Sequence, residues 1–444
     1  MNLYLEADES KAEQTRAMMI GTPGQVPWTT LPGSGAIRGM YPLANGFLLA
    51  VQGSGVYRVT GAGTPQLLGS LLTNAGPVSI EENGQVAVMA DGQRRYVVDY
   101  DAGTVSTLGQ DPSDRVAFID GYFIFNRSQT QFFDITDLYS TTIVGTAAAS
   151  GSPDRLVTLI ADHRELWLFG QTATEVWTNT GNADFPFERL PQAYIQTGCI
   201  APHSVARMDN TVFWLGADER GAGIVWRADG YRAARVSTHA IEHEIQAYAT
   251  TADAFAYAYQ QDGHTFYVLT FPSADRTWCY DAATGEWHER AWFDALNQQR
   301  AHRASCAANY LNRVLVGDTQ SGAISEYSLS AYTEAGTPIR RIRTAQHEKD
   351  PSLRRLAHRM LQVDMERGVG VPFGQGSQPQ AMLRWSDDGG NTWSSEAWAT
   401  FGAVGEYQAR ARWRRLGSAF DRVYELTISD PVKVAIVGAV AEID

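Results

Sequence analysis

Lysine is nearly missing from this chain. Of 36 basic residues among 444, only Lys11, Lys349 and Lys433 are lysines; the other 33 are arginines. Arginine suits buried and interfacial pairs because its planar fork meets a carboxylate through two hydrogen bonds, although a GC-rich coding genome produces the same bias. Positive charge is also in deficit, with a formal net charge of −13. Residues 346–444 carry 12 basic against 13 acidic residues, leaving 24 against 36 in residues 1–345. A basic track along a phosphate backbone is therefore excluded, and with it strong sequence-independent affinity for DNA.

Cysteine is scarce too. Cys199, Cys279 and Cys306 are far apart and form no CxxC pair, which argues against a zinc ribbon or a disulfide framework and for reduced, largely buried thiols. No apolar run approaches the roughly 18–20 residues that cross a bilayer, so no membrane association is expected. The opening MNLYLEADESKAEQTR is acidic and polar, unlike a secretion signal.

What the chain does have is a repeat. Strand-rich units begin near residues 36, 77, 114, 154, 201, 254 and 304. In each, a first strand meets a turn of Asn or Asp beside Gly or another small residue, as in Ala44-Asn45-Gly46 or Asp120-Gly121. An apolar run such as FLLAV, YFIFN, LWLFG, VFWLG or FYVLT follows, then a third strand ending on an aromatic residue. A unit of this length makes one small antiparallel sheet. Such a sheet cannot bury both faces alone, and stacking neighbours about an axis gives a β-propeller. The chain is thus expected to be all-β, with an extended arm over 1–35 and a propeller of about seven blades, possibly six, over 36–345. A stacked β-solenoid is the competing architecture. Helix is expected only at 236–245, capped by Ser237 or Thr238, and as a short turn over 353–360.

The pattern changes after about 346. Alternating runs HRMLQVDME, AMLRWSDD, TWSSEAWAT, YQARARWRRL, RVYELTISD and VKVAIVGAVAEI, with a long loop GVGVPFGQGSQPQ between the first two, predict a small antiparallel β-sandwich over 346–444. In ARARWRR, Arg410, Arg412, Arg414 and Arg415 give one strand a cationic face, and Arg354 and Arg355 precede the domain's first strand. A solvated face is the plain reading of these six; a subunit interface is the sharper one.

Motifs with chemical content are few. WSDDGGNTWS contains Ser386, Asp388, Gly390, Thr392 and Trp393 at the spacing of an Asp-box, the hairpin best known from sialidase propellers. It is a fold element rather than a catalytic one, and sialidases usually carry several where one stands here. His239 and His243 lie at i and i+4, as metal ligands on a helix would, but Ala240 occupies the place where a zinc protease needs Glu. Asp209, Asp218 and Glu219 flank the VFWLG strand as turn residues. No P-loop, nucleophile elbow or dinucleotide fingerprint is present. No catalytic, cofactor-binding or metal-binding residues are assigned, and a non-enzyme is expected.

Several stretches are recognisable as a set. NLYLEAD at 2–8, VAFIDGYFIFN at 116–126, GCIAPHSVARMDNTVFWLGADERGAGIVWRADGYRAARVSTHAIEHEI at 198–245 and the blocks from WSDDGGNTWS to LTISDPVKVAIVGA at 385–439 resemble the packaged-DNA stabilisation proteins of short-tailed bacteriophages, also called tail hub or head-completion proteins. The resemblance implies a virion protein at the portal vertex, assembled in the host cytoplasm and working without a cofactor. It further implies a homo-oligomeric ring, a hexamer by family expectation, that binds the portal adaptor ring and a tail needle or receptor-binding fibres. Such a ring closes the DNA channel with packaged DNA nearby but not read by sequence. Two other classes stay open: a sialidase-like propeller hydrolase, and a carbohydrate-binding propeller for host attachment.

Overall fold

Two residues suffice to turn a strand back on itself when both accept a left-handed backbone. The computed structural model, which describes residues 1–8, 16–152, 154–218 and 221–444, uses that device repeatedly. Asp120-Gly121 (φ 49° and 92°) joins Val116–Ile119 to Tyr122–Asn126, with Ile119 opposite Tyr122. Asp209-Asn210 and Asp262-Gly263 do the same for the pairs Met208–Thr211 and Gln261–His264. The sequence signals these turns, since Asn, Asp and Gly tolerate positive φ best. His163-Arg164 (47° and 64°) and Leu311-Asn312 (50° and 60°) adopt the same geometry with poorer residues, because the register on either side leaves no alternative.

The chain divides into two compact units. The larger contains residues 27–285 and 301–326 and is a run of antiparallel sheets. Ile37–Pro42, Leu48–Gln52, Gly55–Val59 and Pro65–Ser70 form the first, in chain order. The same up-and-down order recurs from Ser79–Glu82 to Thr104–Thr107, from Val116–Ile119 to Ile143–Ala148, and from Leu156–Asp162 to Phe187–Ile195. Ala206–Met208, Phe255–Gln261 and Ala304–Tyr310 open three more. First strands of successive sheets stand beside one another, and Ala304–Tyr310 returns to Ile37–Pro42. The run therefore closes on itself as a propeller, not a solenoid.

Second strands are covered on both faces by neighbouring sheets, so they read as continuous apolar runs rather than alternating ones. Every residue of Leu48–Gln52 is buried, as are nearly all of Val86–Ala90, Tyr122–Asn126 and Glu165–Gly170. A buried ion pair links two of these sheets. Arg95, from the sheet that opens at Ser79, lies 2.7 Å from Asp134 of the next, both side chains wholly excluded from solvent. Arg95 also donates to Ser113 Oγ and its guanidinium lies 4.7 Å from the Phe125 ring centre. Burial alone pushes the Asp134 carboxyl up, but hydrogen bonds from Arg127, Thr146 and Arg95 outweigh it and hold the group below the usual carboxylate range.

The smaller unit contains residues 1–26, 286–300 and 327–444. One sheet orders Leu3–Asp8, Arg16–Gly21, Ala435–Ile443, Leu356–Met365 and Ala411–Arg414; another orders Arg341–Thr344, Asp421–Ile428, Gln380–Ser386 and Ala397–Thr400. Leu361, Val363, Ala411, Trp413 and Ile436 from the first pack against Ala381, Leu383, Tyr424, Leu426 and Ile428 from the second, giving a two-sheet sandwich. Burial along Leu356–Met365 alternates toward its end, the period-2 signature of a strand with one covered face.

Two expectations change. Residues 1–35 are not an extended arm. Leu3–Asp8 and Arg16–Gly21 form a hairpin in the sandwich sheet, while Gly24–Thr30 is the outermost strand of the propeller sheet that opens at Ala304; residues 9–15 of the expected arm lie outside the described residues. Asn2 anchors the beginning: its amide donates to the carbonyls of Ala291 and Arg340 and accepts from the Ala291 N–H. The short helix expected over 353–360 does not form: residues 353–355 are irregular and 356–360 begin the strand Leu356–Met365, because the apolar residues there are recruited to a sheet. The other helix forms as His239–Gln246, with Thr238 as its N-cap.

Two variants test these energetics. Asp134→Ala leaves Arg95 charged and buried without its anionic partner and is expected to lower stability by about 3–5 kcal/mol in equilibrium denaturation. Leu311→Gly removes a branched side chain from positive φ at an exposed turn and is expected to raise stability by about 1 kcal/mol, read as a higher Tm.

Candidate functional site

First strands arranged around an axis enclose space unless large side chains fill it. Here Gly39, Ala256, Ala258 and Ala307 line one part of the axial wall, leaving a cavity of about 310 Å³. Every propeller sheet contributes to its lining. Four charged residues line it, in or beside separate first strands: Arg38, Glu81, Arg115 and Arg207. Arg38 is fully committed, donating to the carbonyls of Gly53, Thr73, Ala75 and Gly76 and to the Thr73 hydroxyl. It clamps the loop that leads into the second sheet.

Arg115 and Arg207 are differently placed. Each spends one nitrogen on a backbone carbonyl, Arg115 on Val205 and Arg207 on Ala161. Among the described residues neither forms an ion pair at salt-bridge distance. Glu81 accepts a long hydrogen bond from the Tyr41 hydroxyl, 3.4 Å. Enclosure raises the Glu81 carboxyl to about 7, against the opposing pull of Arg207 and Arg115. Burial likewise lowers His203 to about 3, helped by Arg115 and Arg38, so its imidazole is neutral at physiological pH. Sequence reading missed this set because its members stand at 41, 81, 115 and 207. A signal existed: each is a polar residue in or beside a repeat's first strand.

The assigned residues sit elsewhere. In the sandwich, Ser386, Asp388, Gly390, Thr392 and Trp393 form one hairpin turn. Asp388 accepts from the Ser386 hydroxyl at 2.7 Å, from the Thr392 N–H at 2.8 Å and from the Thr392 hydroxyl at 2.6 Å. Those bonds, led by Thr392, hold its carboxyl down at about 2. Gly389 and Gly390 take φ of 74° and 99°, which lets the turn close. Trp393 is half-buried, donates to the Gly390 carbonyl and carries the Arg384 guanidinium 4.6 Å above its ring. These bonds serve the turn itself.

The six arginines divide. Arg412 and Arg414 project from one face of Ala411–Arg414 while Ala411 and Trp413 are buried on the other. Arg412 donates to the Gln362 side chain of the adjacent strand. Arg354 pairs with Asp350, and Arg355 donates to the Ser418 carbonyl and stacks on Phe420. Arg410, Arg414 and Arg415 are exposed. On the same face lies Val440, 55% exposed, in Ala435–Ile443, which pairs with Arg16–Gly21 only at Ile436 and Ala435.

Among the described residues no group of three His, Cys, Asp or Glu could hold a metal ion. The His239 side chain is 92% exposed, and Glu242 between the two histidines is bound by Arg235 and Ser237. Asp209 occupies a positive-φ turn position; the Asp218 side chain and Glu219 lie outside the described residues. The three cysteines are free thiols, and burial raises Cys199 and Cys306 to about 11.

Comparison with protein families gives two consecutive matches. Residues 1–331 match the model described as bacteriophage P22 Gp10, beta-propeller, and residues 350–444 match bacteriophage P22 Gp10, beta-sandwich. The chain belongs to this family. It is the packaged-DNA stabilisation, or tail hub, family of short-tailed phages, so the protein is a structural component of the virion tail. The first match includes both N-terminal hairpin strands, although in the fold they pair within the sandwich sheet. No curated protein matches the sequence. Similar solved structures include the WD40 β-propeller domain of Doa1, at 12% identity over 69% of this chain and 97% of that one (TM-score 0.44). Virginiamycin B lyase from Staphylococcus aureus aligns at 8% identity over 68% and 98% (TM-score 0.47).

Glu81 gives a pH test. Its folded-state value near 7 lies above the usual carboxylate range, so between about pH 4.5 and 7 the folded state holds a proton that the unfolded chain releases. Stability from this group is therefore fully present at low pH and falls as pH rises through 7. Glu81→Gln is expected to abolish that part of the decline, read as a stability difference from wild type that grows from about pH 5 to 8 in denaturant titrations.

Proposed function

We propose that this protein assembles as a homo-oligomeric ring, six copies by analogy with its family, below the portal and its adaptor. There it closes the DNA channel after packaging, stabilises the packaged genome and provides attachment for a tail needle or fibres. The observation that carries the reading is the pair of family matches, which together span nearly the whole chain in the order propeller then sandwich. The role is non-enzymatic: holding DNA in by closure needs surface and stiffness rather than a reacting group.

Physical features support it. Ring subunits meet through heterologous interfaces that close by rotation, and such interfaces need apolar area with polar register. The sandwich face carrying Val440, Arg412 and Arg414 offers both. Surface ion pairs contribute only about 0–1 kcal/mol each, so buried area sets the ring's strength and the arginines set its register. The net charge of −13 disfavours adhesion to DNA, which suits a plug that must later release. Sequence-specific DNA binding is not part of the reading.

Native mass spectrometry of the protein alone and with adaptor rings tests assembly. A closed multimer on the adaptor is expected, and Val440→Asp with Arg414→Glu should weaken self-association by about tenfold or more. Particles assembled without the protein are expected to lose DNA; particles that retain it would remove the sealing role.

A further inference from the structure

The axial cavity is not explained by a ring-forming role, and its chemistry is specific. We propose that it is a binding site for a small free oxyanion of the phosphate or carboxylate class, held between the guanidinium groups of Arg115 and Arg207. Three observations lead there.

The first is unused donor capacity. A guanidinium has five N–H donors, and the only protein acceptor for each among the described residues is one carbonyl, that of Val205 for Arg115 and that of Ala161 for Arg207. Arg115 is half-buried among the first strands and lines the cavity. Arg38, which lines the same cavity, looks different: its guanidinium is occupied by backbone and hydroxyl acceptors.

The second is room. Gly39, Ala256, Ala258 and Ala307 keep about 310 Å³ open beside the two arginines. At about 30 Å³ per liquid water, that accommodates a tetrahedral or planar oxyanion with several waters, and is too small for a run of nucleotides.

The third is charge. Three guanidinium groups, of Arg38, Arg115 and Arg207, line the cavity with one carboxylate, Glu81, on which Arg207, Arg115, Tyr41 and the neighbouring Glu82 act. His203 is neutral and adds no charge. The cavity is thus cationic within an acidic protein, and it has no metal-binding cluster among the described residues. An anion seated there repels the Glu81 carboxylate and favours its protonated form, so anion uptake is coupled to proton uptake. Protonated Glu81 and the Tyr41 hydroxyl then both become donors toward the cavity.

The test uses the full-length protein with inorganic phosphate, followed by calorimetry and thermal unfolding at constant ionic strength set with chloride. Saturable phosphate binding is expected at about pH 5.5 and should be at least about threefold weaker at pH 8.5. Glu81→Gln should bind at both pH values without that difference. Arg207→Gln, at a solvent-accessible strand position, should weaken binding about tenfold or more while its unfolding transition stays cooperative. Arg115→Gln should do the same if it folds. Absence of saturable binding in both wild type and Glu81→Gln overturns the proposal. So does an equal response to chloride, or unchanged affinity in Arg207→Gln.

Discussion

Closure of the propeller depends on a strand borrowed from the other end of the chain. The sheet that opens at Ala304 takes its outermost strand from Gly24–Thr30, and the Leu31 N–H donates to the Gly322 carbonyl next to that junction. Leu31 is itself buried with Leu48, Leu315 and Ile324. An open run of sheets would leave one apolar face bare at each end. Joining the first and last sheets through a strand distant in sequence removes both at once, and the axial cavity exists only because the circle is complete.

Within that frame arginine does the work lysine cannot. A lysine ammonium is a strongly hydrated point charge, whereas a guanidinium distributes five donors in a plane and tolerates contact with aromatic faces. Arg38 joins four carbonyls and a hydroxyl; Arg95 joins two sheets through Asp134 and Ser113 while lying on Phe125. In the sandwich, the nearly inaccessible Arg422 makes a two-pronged contact with Asp387, donates to the Leu416 carbonyl and packs near the rings of Trp385 and Tyr424. The near-absence of lysine, unremarkable as composition, thus has a structural correlate in buried polar junctions.

These junctions also separate rigidity from recognition. Arginines whose donors are all engaged fix the backbone, and those with spare donors, among them Arg115 and Arg207 on the axis and Arg414 on the sandwich face, are able to meet something else. For a structural protein of the virion tail, packed sheets and outward-facing surfaces are the working parts.

Much of this was legible in the sequence because it rests on local rules. Apolar runs of five or six residues, punctuated by Asp-Gly and Asp-Asn turns, announce sheets whose middle strands are covered twice. Ser386 to Trp393 announces its hairpin, since the bonds that close it span at most four residues. Thr238 announces the helix start. What tertiary structure alone decided involves partners far apart in the chain. The N-terminal strands joined both units rather than forming an arm, since pairing across more than 400 residues between Met19 and Ile436 leaves no local mark. Residues 356–360 became strand because a neighbouring sheet outweighed a weak helical preference. Glu81, Arg115 and Arg207 converge only because closing a circle of sheets brings their first strands to one axis.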